Sequence, residues 1–266
     1  MINIIIFSKN RAAQLDLFIR SVKRFFKGWQ LYDFSVLYTC SDEEYYKGYE
    51  KVFVRHPEFS YVREEAFKFD LLSLIRDENP YTVFFVDDNV FKSEFDIHCD
   101  EFISFAKRND VLSFTLRLGL NTTWCYTQKR DSLPPEFLFD SQKVWEWRKA
   151  TGPEWNYPMS VDGGFFHTKD IKPLAQLLEY QNPNTFEGTL ANHPIDKPYM
   201  VCPPKSIILN VPANKVQTAN GNLCGNIPAD YLNSKFLEGY QLSINNLVNY
   251  NNRAPHEEID YILEGM

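Results

Sequence analysis

Three residues with oxygen-bearing side chains stand in a row at Asp87, Asp88 and Asn89, directly after the run YTVFFV at positions 81–86. Carboxylate and amide oxygens gathered at one point suit a hard divalent cation such as Mg²⁺ or Mn²⁺. Such an ion keeps open positions for phosphate oxygens, and would let an acidic chain hold a diphosphate. The plainer alternative is a turn in which Asp and Asn cap the local backbone. The preceding run favours the first reading. It does not alternate polar with apolar, so it reads as a strand covered on both faces, with the acids where it leaves the core.

The elements that must position these acids alternate along the chain. Residues 2–7 form an apolar run and hence a buried strand, and Ser8, Lys9, Asn10 and Arg11 follow as a polar loop. Leu15, Phe18, Ile19, Val22, Phe25 and Phe26 then recur at helical spacing. A second strand is expected at 34–38, running into Thr39, Cys40, Ser41 and Asp42, and a Tyr-rich helix at 42–54. A short strand at 59–62 precedes a helix at 66–76, which Asn79-Pro80 ends. This β-α-β-α-β-α-β order predicts a mostly parallel sheet with helices on both faces. Ligands bind such sheets beyond the carboxyl ends of the strands. The loops 8–11, 39–42 and 87–89 should therefore converge.

The second half is less regular. A helix is expected at 94–107 and a strand at 111–118, then an irregular stretch over 121–158 that carries Trp124, Trp145, Trp147 and Trp155. A strand at 160–168 is interrupted by Gly163-Gly164, which signals a bulge or something approaching the backbone closely. Helices are expected at 171–180 and 184–192, strand material at 199–211, and closing helices at 228–240 and 255–264. No repeat, low-complexity segment or linker divides the chain. A single domain over 1–266 is expected, with lobes at 1–120 and 121–266.

The 266 residues are enough for a sizeable core, and 44% hydrophobic with 24% charged fits a soluble globular protein. Aromatic residues reach 16%, which suits a large core and equally suits stacking on bases or sugars. The net charge of −7 argues against broad nucleic-acid binding. Five scattered cysteines with no CxxC pair predict neither a zinc site nor a disulfide framework, and fit a reducing cytoplasm. The N-terminus reads as a strand rather than a signal peptide, and no apolar run approaches membrane-spanning length.

The strand ending in VDDN resembles the DxD region of nucleotide-sugar glycosyltransferases of the GT-A fold, of the family 2 kind. The opening IIIFSKNRAAQLDLFIRSV resembles their first strand, nucleotide loop and first helix. The likeness covers about the first 120 residues well and the rest more loosely. One departure is Asn89 where the motif has an acid. The resemblance implies a GT-A-like (Rossmann-like) α/β fold and transfer of a sugar from a nucleoside diphosphate, UDP being the favoured nucleotide. It implies Mn²⁺ or Mg²⁺ held by Asp87, Asp88 and Asn89. Its donor site would use Ser8, Asn10, Arg11, Asp42, Lys68 and Asp70 besides the two acids, and Gly163 and Gly164 beside the donor sugar. Against this, Asp42 also reads as a helix N-cap.

Transfer with inversion needs a base for the acceptor hydroxyl. In similar transferases an acid near the start of a late helix serves, which points to Glu187 in NPNTFEGTLANH, with Asp162 next. The alternative for Glu187 is the acid of a capping box. In NVPANKVQTANGN, Asn214, Lys215 and Gln217 would close over the diphosphate. Many relatives add a late histidine to the metal; here His193 or His256 would have to supply it, or water takes its place, and a lone His167 reads as structural. The tryptophans, with Arg117, Tyr126 and Arg148, are acceptor-site candidates, or else anchors of an irregular core. The acceptor implied is a carbohydrate or glycolipid, such as a lipid-linked or surface polysaccharide. The expected location is cytoplasmic, peripheral to the inner face of a membrane where the acceptor is lipid-linked. Two other classes stay open. Nucleotidyltransferases usually open with a Gly-rich basic loop, and SKNRAAQ has no glycine. A non-catalytic carbohydrate-binding relative would also carry Asn89.

Overall fold

The computed structural model describes residues 1–139, 142–215 and 224–266. Its first half alternates as expected: β1 Ile2–Lys9, α1 Ala12–Phe25, β2 Phe34–Thr39, α2 Glu43–Arg55, β3 Ser60–Arg63, α3 Phe67–Leu74 and β4 Tyr81–Val86. Next come β5 Asn89–Phe91, α4 Asp100–Lys107, β6 Val111–Thr115, and three short strands, β7 Trp124–Cys125, β8 Arg130–Asp131 and β9 Lys143–Glu146. The rest comprises β10 Gly164–His167, α5 Thr168–Leu177, α6 Pro183–Asn192, β11 Tyr199–Cys202, β12 Ile208–Asn210, α7 Ala229–Leu237, β13 Tyr240–Leu242 and β14 Leu263–Gly265.

Eight strands form one sheet in the order β3-β2-β1-β4-β10-β6-β11-β9, so both halves of the chain contribute. β1, β2, β3 and β4 pair in parallel, and β10 runs antiparallel between β4 and β6. The expected mostly parallel, Rossmann-like α/β sheet flanked by helices is present. Both faces are covered. Ile4 and Ile6 of β1 pack with Leu15, Phe18 and Val22 of α1, while Ile5 and Phe7 join Phe67 and Leu71 of α3 on the opposite side. Val83 and Phe85 of β4 fall on the first side and Phe84 on the second. Burial on both faces is why neither strand alternates in sequence.

Several expected elements differ. The helix expected at 94–107 starts only at Asp100, because Phe95 is paired with the end of α1: its N–H bonds the Phe25 carbonyl and its carbonyl accepts the Lys27 N–H, both at 2.8 Å. The strand material at 199–211 is two strands in different sheets. The helix expected at 255–264 is absent. That segment is pinned from both sides: Asn210 N–H bonds the Pro255 carbonyl at 2.9 Å and Glu257 N–H bonds the Asn210 carbonyl at 3.1 Å. Tertiary partners outbid its local preference for helix.

Candidate active site

The acid turn begins where β4 leaves β1. Asp87 N–H still bonds the Phe7 carbonyl at 3.0 Å, so the carboxyl ends of both strands stay together. Oδ2 of Asp87 accepts from Ser8 Oγ at 2.9 Å and from Lys9 N–H at 3.1 Å. Nη1 of Arg11 donates to Oδ1 of Asp87 at 3.1 Å and to Oδ2 of Asp88 at 2.8 Å. Asn210 faces Asn89 in the β5–β12 ladder, and its Nδ2 reaches Oδ1 of Asp88 at 2.8 Å. The two carboxylates are only 3% and 8% exposed. Burying both is tolerable because each is hydrogen-bonded and they share a cation. Burial pushes the Asp87 carboxyl up to about 6, against Arg11 and with help from Asp88. Asp88 is raised too, by burial, opposed by Arg11 and reinforced by Asp162.

Arg11 joins distant parts of the chain. Its Nε donates to Oδ1 of Asn214 at 2.8 Å and its Nη2 to the Asn214 carbonyl. Burial alone would loosen its proton, but Asp88 and Asp87 more than offset this and hold it charged.

A second group of titratable residues shares the cavity. Asp162 lies just before β10, with Oδ1 accepting from Asn89 Nδ2 at 3.2 Å and Asn210 Nδ2 at 3.4 Å. Its Oδ2 meets Nε2 of His256 at 3.1 Å. Burial alone would raise Asp162, yet the bond to His256 wins and holds it below the usual carboxylate range. Burial likewise opposes the charge on His256, and Asp162 overcomes it, pushing the imidazole up to about 9.

Glu187 sits on α6. Asn182 caps that helix and Thr185 closes the capping box, their mutual bonds being 2.9 Å and 3.1 Å. The box is complete without Glu187, which lies further into the helix and faces the cavity. Its Oε1 accepts the Val161 N–H at 3.0 Å. Burial raises its carboxyl above the ordinary value, and Asp162 adds to the shift.

These groups line a cavity of about 270 Å³. Of the expected site residues, Ser8, Arg11, Asp87, Asp88, Asp162, Glu187, Asn214 and Lys215 all border it. The others do not. Asn10 turns away, its Oδ1 accepting the Ser41 N–H at 2.9 Å. Asp42 is the N-cap of α2, bonded to Tyr45 N–H at 3.1 Å. Lys68 pairs with Glu179 at 2.8 Å, and Asp70 closes the first turn of α3 on the N–H groups of Glu65 and Ala66, both at 2.8 Å. Gly163 has φ +66°, and a Cβ there would lie 2.4 Å from Cδ1 of Ile208. A Cβ on Gly164 would meet the Ser160 carbonyl at 2.7 Å. The close approach that these glycines signalled is thus made by the protein's own chain. Gln217 lies outside the described residues.

The aromatic candidates divide in the same way. Trp145 and Trp155 are fully buried and packed edge to face at 5.0 Å. Arg117 is buried in an ion pair with Glu154, and Arg148 pairs with Asp196 at 2.9 Å. Only Tyr126 of that set borders the cavity. His167 packs in the core, 4.6 Å from the ring of Phe105, and His193 caps the end of α6 on the Thr189 carbonyl at 3.0 Å. His256 does reach the site.

Sequence reasoning passed over Asn210 and Glu64. Glu64 follows β3, so the rule placing sites at carboxyl ends of strands would have found it. Asn210 is set by the register of a two-stranded ladder, for which the sequence carries no short-range sign.

As arranged, the acid turn does not fit a divalent ion. Oδ1 of Asp87 and Oδ2 of Asp88 do converge, but on the guanidinium nitrogen of Arg11. Their other two oxygens are taken by Ser8, Lys9 and Asn210. Asn89 spends its carbonyl oxygen on the Val86 N–H at 3.0 Å. Among the described residues no group of three or more His, Cys, Asp or Glu side chains is placed to hold a metal ion. No helix among them is long and apolar enough to cross a membrane.

No family model matches the chain. It is 28% identical over 235 residues to the bifunctional glycosyltransferase pgtA of Dictyostelium discoideum, an alignment covering 76% of this chain and 30% of that protein. The chain thus spans under a third of the length of this relative. Among solved structures, residues 1–349 of S. aureus TarS align with a TM-score of 0.45 at 9% identity, covering 79% of this chain and 60% of that one. The same fragment in complex with UDP-GlcNAc gives 0.44 at 9% identity, over 77% and 57%. Mouse xyloside xylosyltransferase 1 gives 0.36 at 11% identity, over 74% and 77%.

Proposed function

We propose that the chain transfers a sugar from a nucleoside diphosphate to a hydroxyl of a carbohydrate or glycolipid acceptor, with inversion at the sugar carbon. One observation carries this reading. Glu187 is a carboxylate with a raised proton affinity and no ion-pair partner among the described residues, in the same cavity as the cations Lys9, Arg11 and Lys215. A similarity to a protein named as a glycosyltransferase supports it.

In this reading the diphosphate faces Lys9, Arg11 and Lys215. The nucleobase lies toward Leu37, Thr39 and Glu64, which border the same cavity at the ends of β2 and β3. Glu187 takes the acceptor proton as the acceptor oxygen attacks the sugar carbon and the diphosphate leaves. A base of raised proton affinity is better matched to this work near neutrality than an ordinary carboxylate. Asp162 is spent on His256 and two amides, so it is poorly suited to act as a nucleophile. With Asp162 so engaged, Glu187 is left to act as a base, which suits direct displacement. No step here is routed through a divalent ion.

The test is a panel of UDP-, GDP-, CDP- and ADP-sugars, read out as release of the nucleoside diphosphate. Turnover confined to one nucleotide, UDP being the first candidate, is the expected result. Absence of both release and diphosphate binding across the panel would overturn the proposal.

A further inference from the structure

We infer that Arg11 is the built-in cation of this site, doing at the Asp87–Asp88 turn what a divalent ion would otherwise do for a bound nucleoside diphosphate. The inference rests on the proposed function above. It starts from a point in space on which two carboxylate oxygens converge, 3.1 Å and 2.8 Å from Nη1 of Arg11. A magnesium ion demands oxygens at about 2.0–2.1 Å in near-octahedral array. To admit one, Arg11 would have to leave both acids.

The guanidinium is held against such a departure. Its side chain is 11% exposed, and it also makes two bonds to Asn214, one of them 2.8 Å long. Those bonds tie the loop after β1 to residues 203 positions away in sequence. Expelling Arg11 would leave the Asn214 acceptors unmet and put a buried cation in search of new partners, which is costly. The acid turn is equally committed. Ser8, Lys9 N–H and Asn210 satisfy the carboxylate oxygens that Arg11 does not. Asn89, the third residue of the motif, turns its oxygen to the backbone.

Arg11 is also equipped to meet phosphate. A guanidinium has five N–H donors and cannot lose its proton in a protein. Four side-chain bonds join it to Asp87, Asp88 and Asn214 among the described residues, which leaves one donor for a ligand. Arg11 borders the cavity together with Lys9 and Lys215, so the diphosphate meets three positive side chains. The acids then serve to hold Arg11 in place.

Calorimetry on the intact protein tests this with UDP, GDP, CDP and ADP as probes, each run in EDTA and in Mn²⁺. The expected result is one nucleotide whose Kd in EDTA lies within about threefold of its Kd in Mn²⁺. Mn²⁺ titrated alone should give no saturable heat. Arg11→Met should weaken that nucleotide at least tenfold in EDTA, while Arg11→Lys recovers part of the loss. Binding that needs Mn²⁺, or tightens tenfold with it, would overturn the inference and leave the proposed function standing. Saturable Mn²⁺ binding abolished in Asp88→Asn would overturn it as well. No binding of any of the four in either condition would overturn both. The central comparison uses the unaltered protein, so a variant that fails to fold does not blunt it.

Discussion

Nε2 of His256 lies 3.1 Å from Oδ2 of Asp162, which ties the extended C-terminal segment to the turn before the antiparallel strand β10. Burial opposes the charge on the imidazole, but Asp162 outweighs it and raises the group from 6.5 to about 9. A folded-state value above the unfolded one means that stability is fully present below about pH 6.5 and is lost as pH rises through about 9. The stability advantage of the natural chain over His256→Gln should therefore shrink by about 3 kcal/mol between pH 6 and pH 10. Urea unfolding of both proteins at the two pH values measures it.

The raised proton affinity of Glu187 has a kinetic counterpart. A base works only when deprotonated, so kcat/KM should fall as pH drops through the raised value, above the ordinary glutamate value of about 4.3. After burial, the nearby charge of Asp162 is the largest upward influence. Asp162→Asn should thus move the acid limb of the pH–rate profile to lower pH. A limb that stays in place would separate Glu187 from that ionisation.

Asp42 distinguishes a cap from a ligand contact. It bonds the Tyr45 N–H at the start of α2 and does not border the cavity. Asp42→Ala should lower the thermal unfolding midpoint slightly and leave nucleotide affinity unchanged. A tenfold loss of affinity at equal stability would return Asp42 to the site.

Gly163 is required by two independent constraints. Its φ is +66°, and a Cβ would lie 2.4 Å from Ile208. Gly163→Ala should cost about 1–3 kcal/mol in chemical denaturation. Pairing it with Ile208→Val should recover only the contact part, because the backbone conformation remains unfavourable for alanine.

Much of the first half was legible because local pattern and tertiary role agree there. The apolar runs of β1 and β4 carry no alternation, and the fold does bury both their faces. Asp87, Asp88, Ser8 and Arg11 were found together because strand order alone brings their loops to one edge. The C-terminal segment around His256 was misread as helix. Glu257 N–H is held by the Asn210 carbonyl, Glu258 accepts from Tyr126 and the Tyr261 hydroxyl reaches the Val211 carbonyl, and all three partners are distant in sequence. Asp42 and Asp70 were ambiguous for the opposite reason. Both satisfy local backbone groups, and a carboxylate in that role looks in sequence like one that holds a ligand.

Glu187→Gln tests the assignment of the base most directly. The amide can still accept the Val161 N–H, so the cavity should keep its shape while losing its base. On the nucleotide sugar that the protein turns over, kcat should fall by about 10²–10⁴, with the Kd for the free diphosphate changed less than twofold. An unchanged kcat would contradict the account, as would a fall in turnover matched by an equal loss of diphosphate binding.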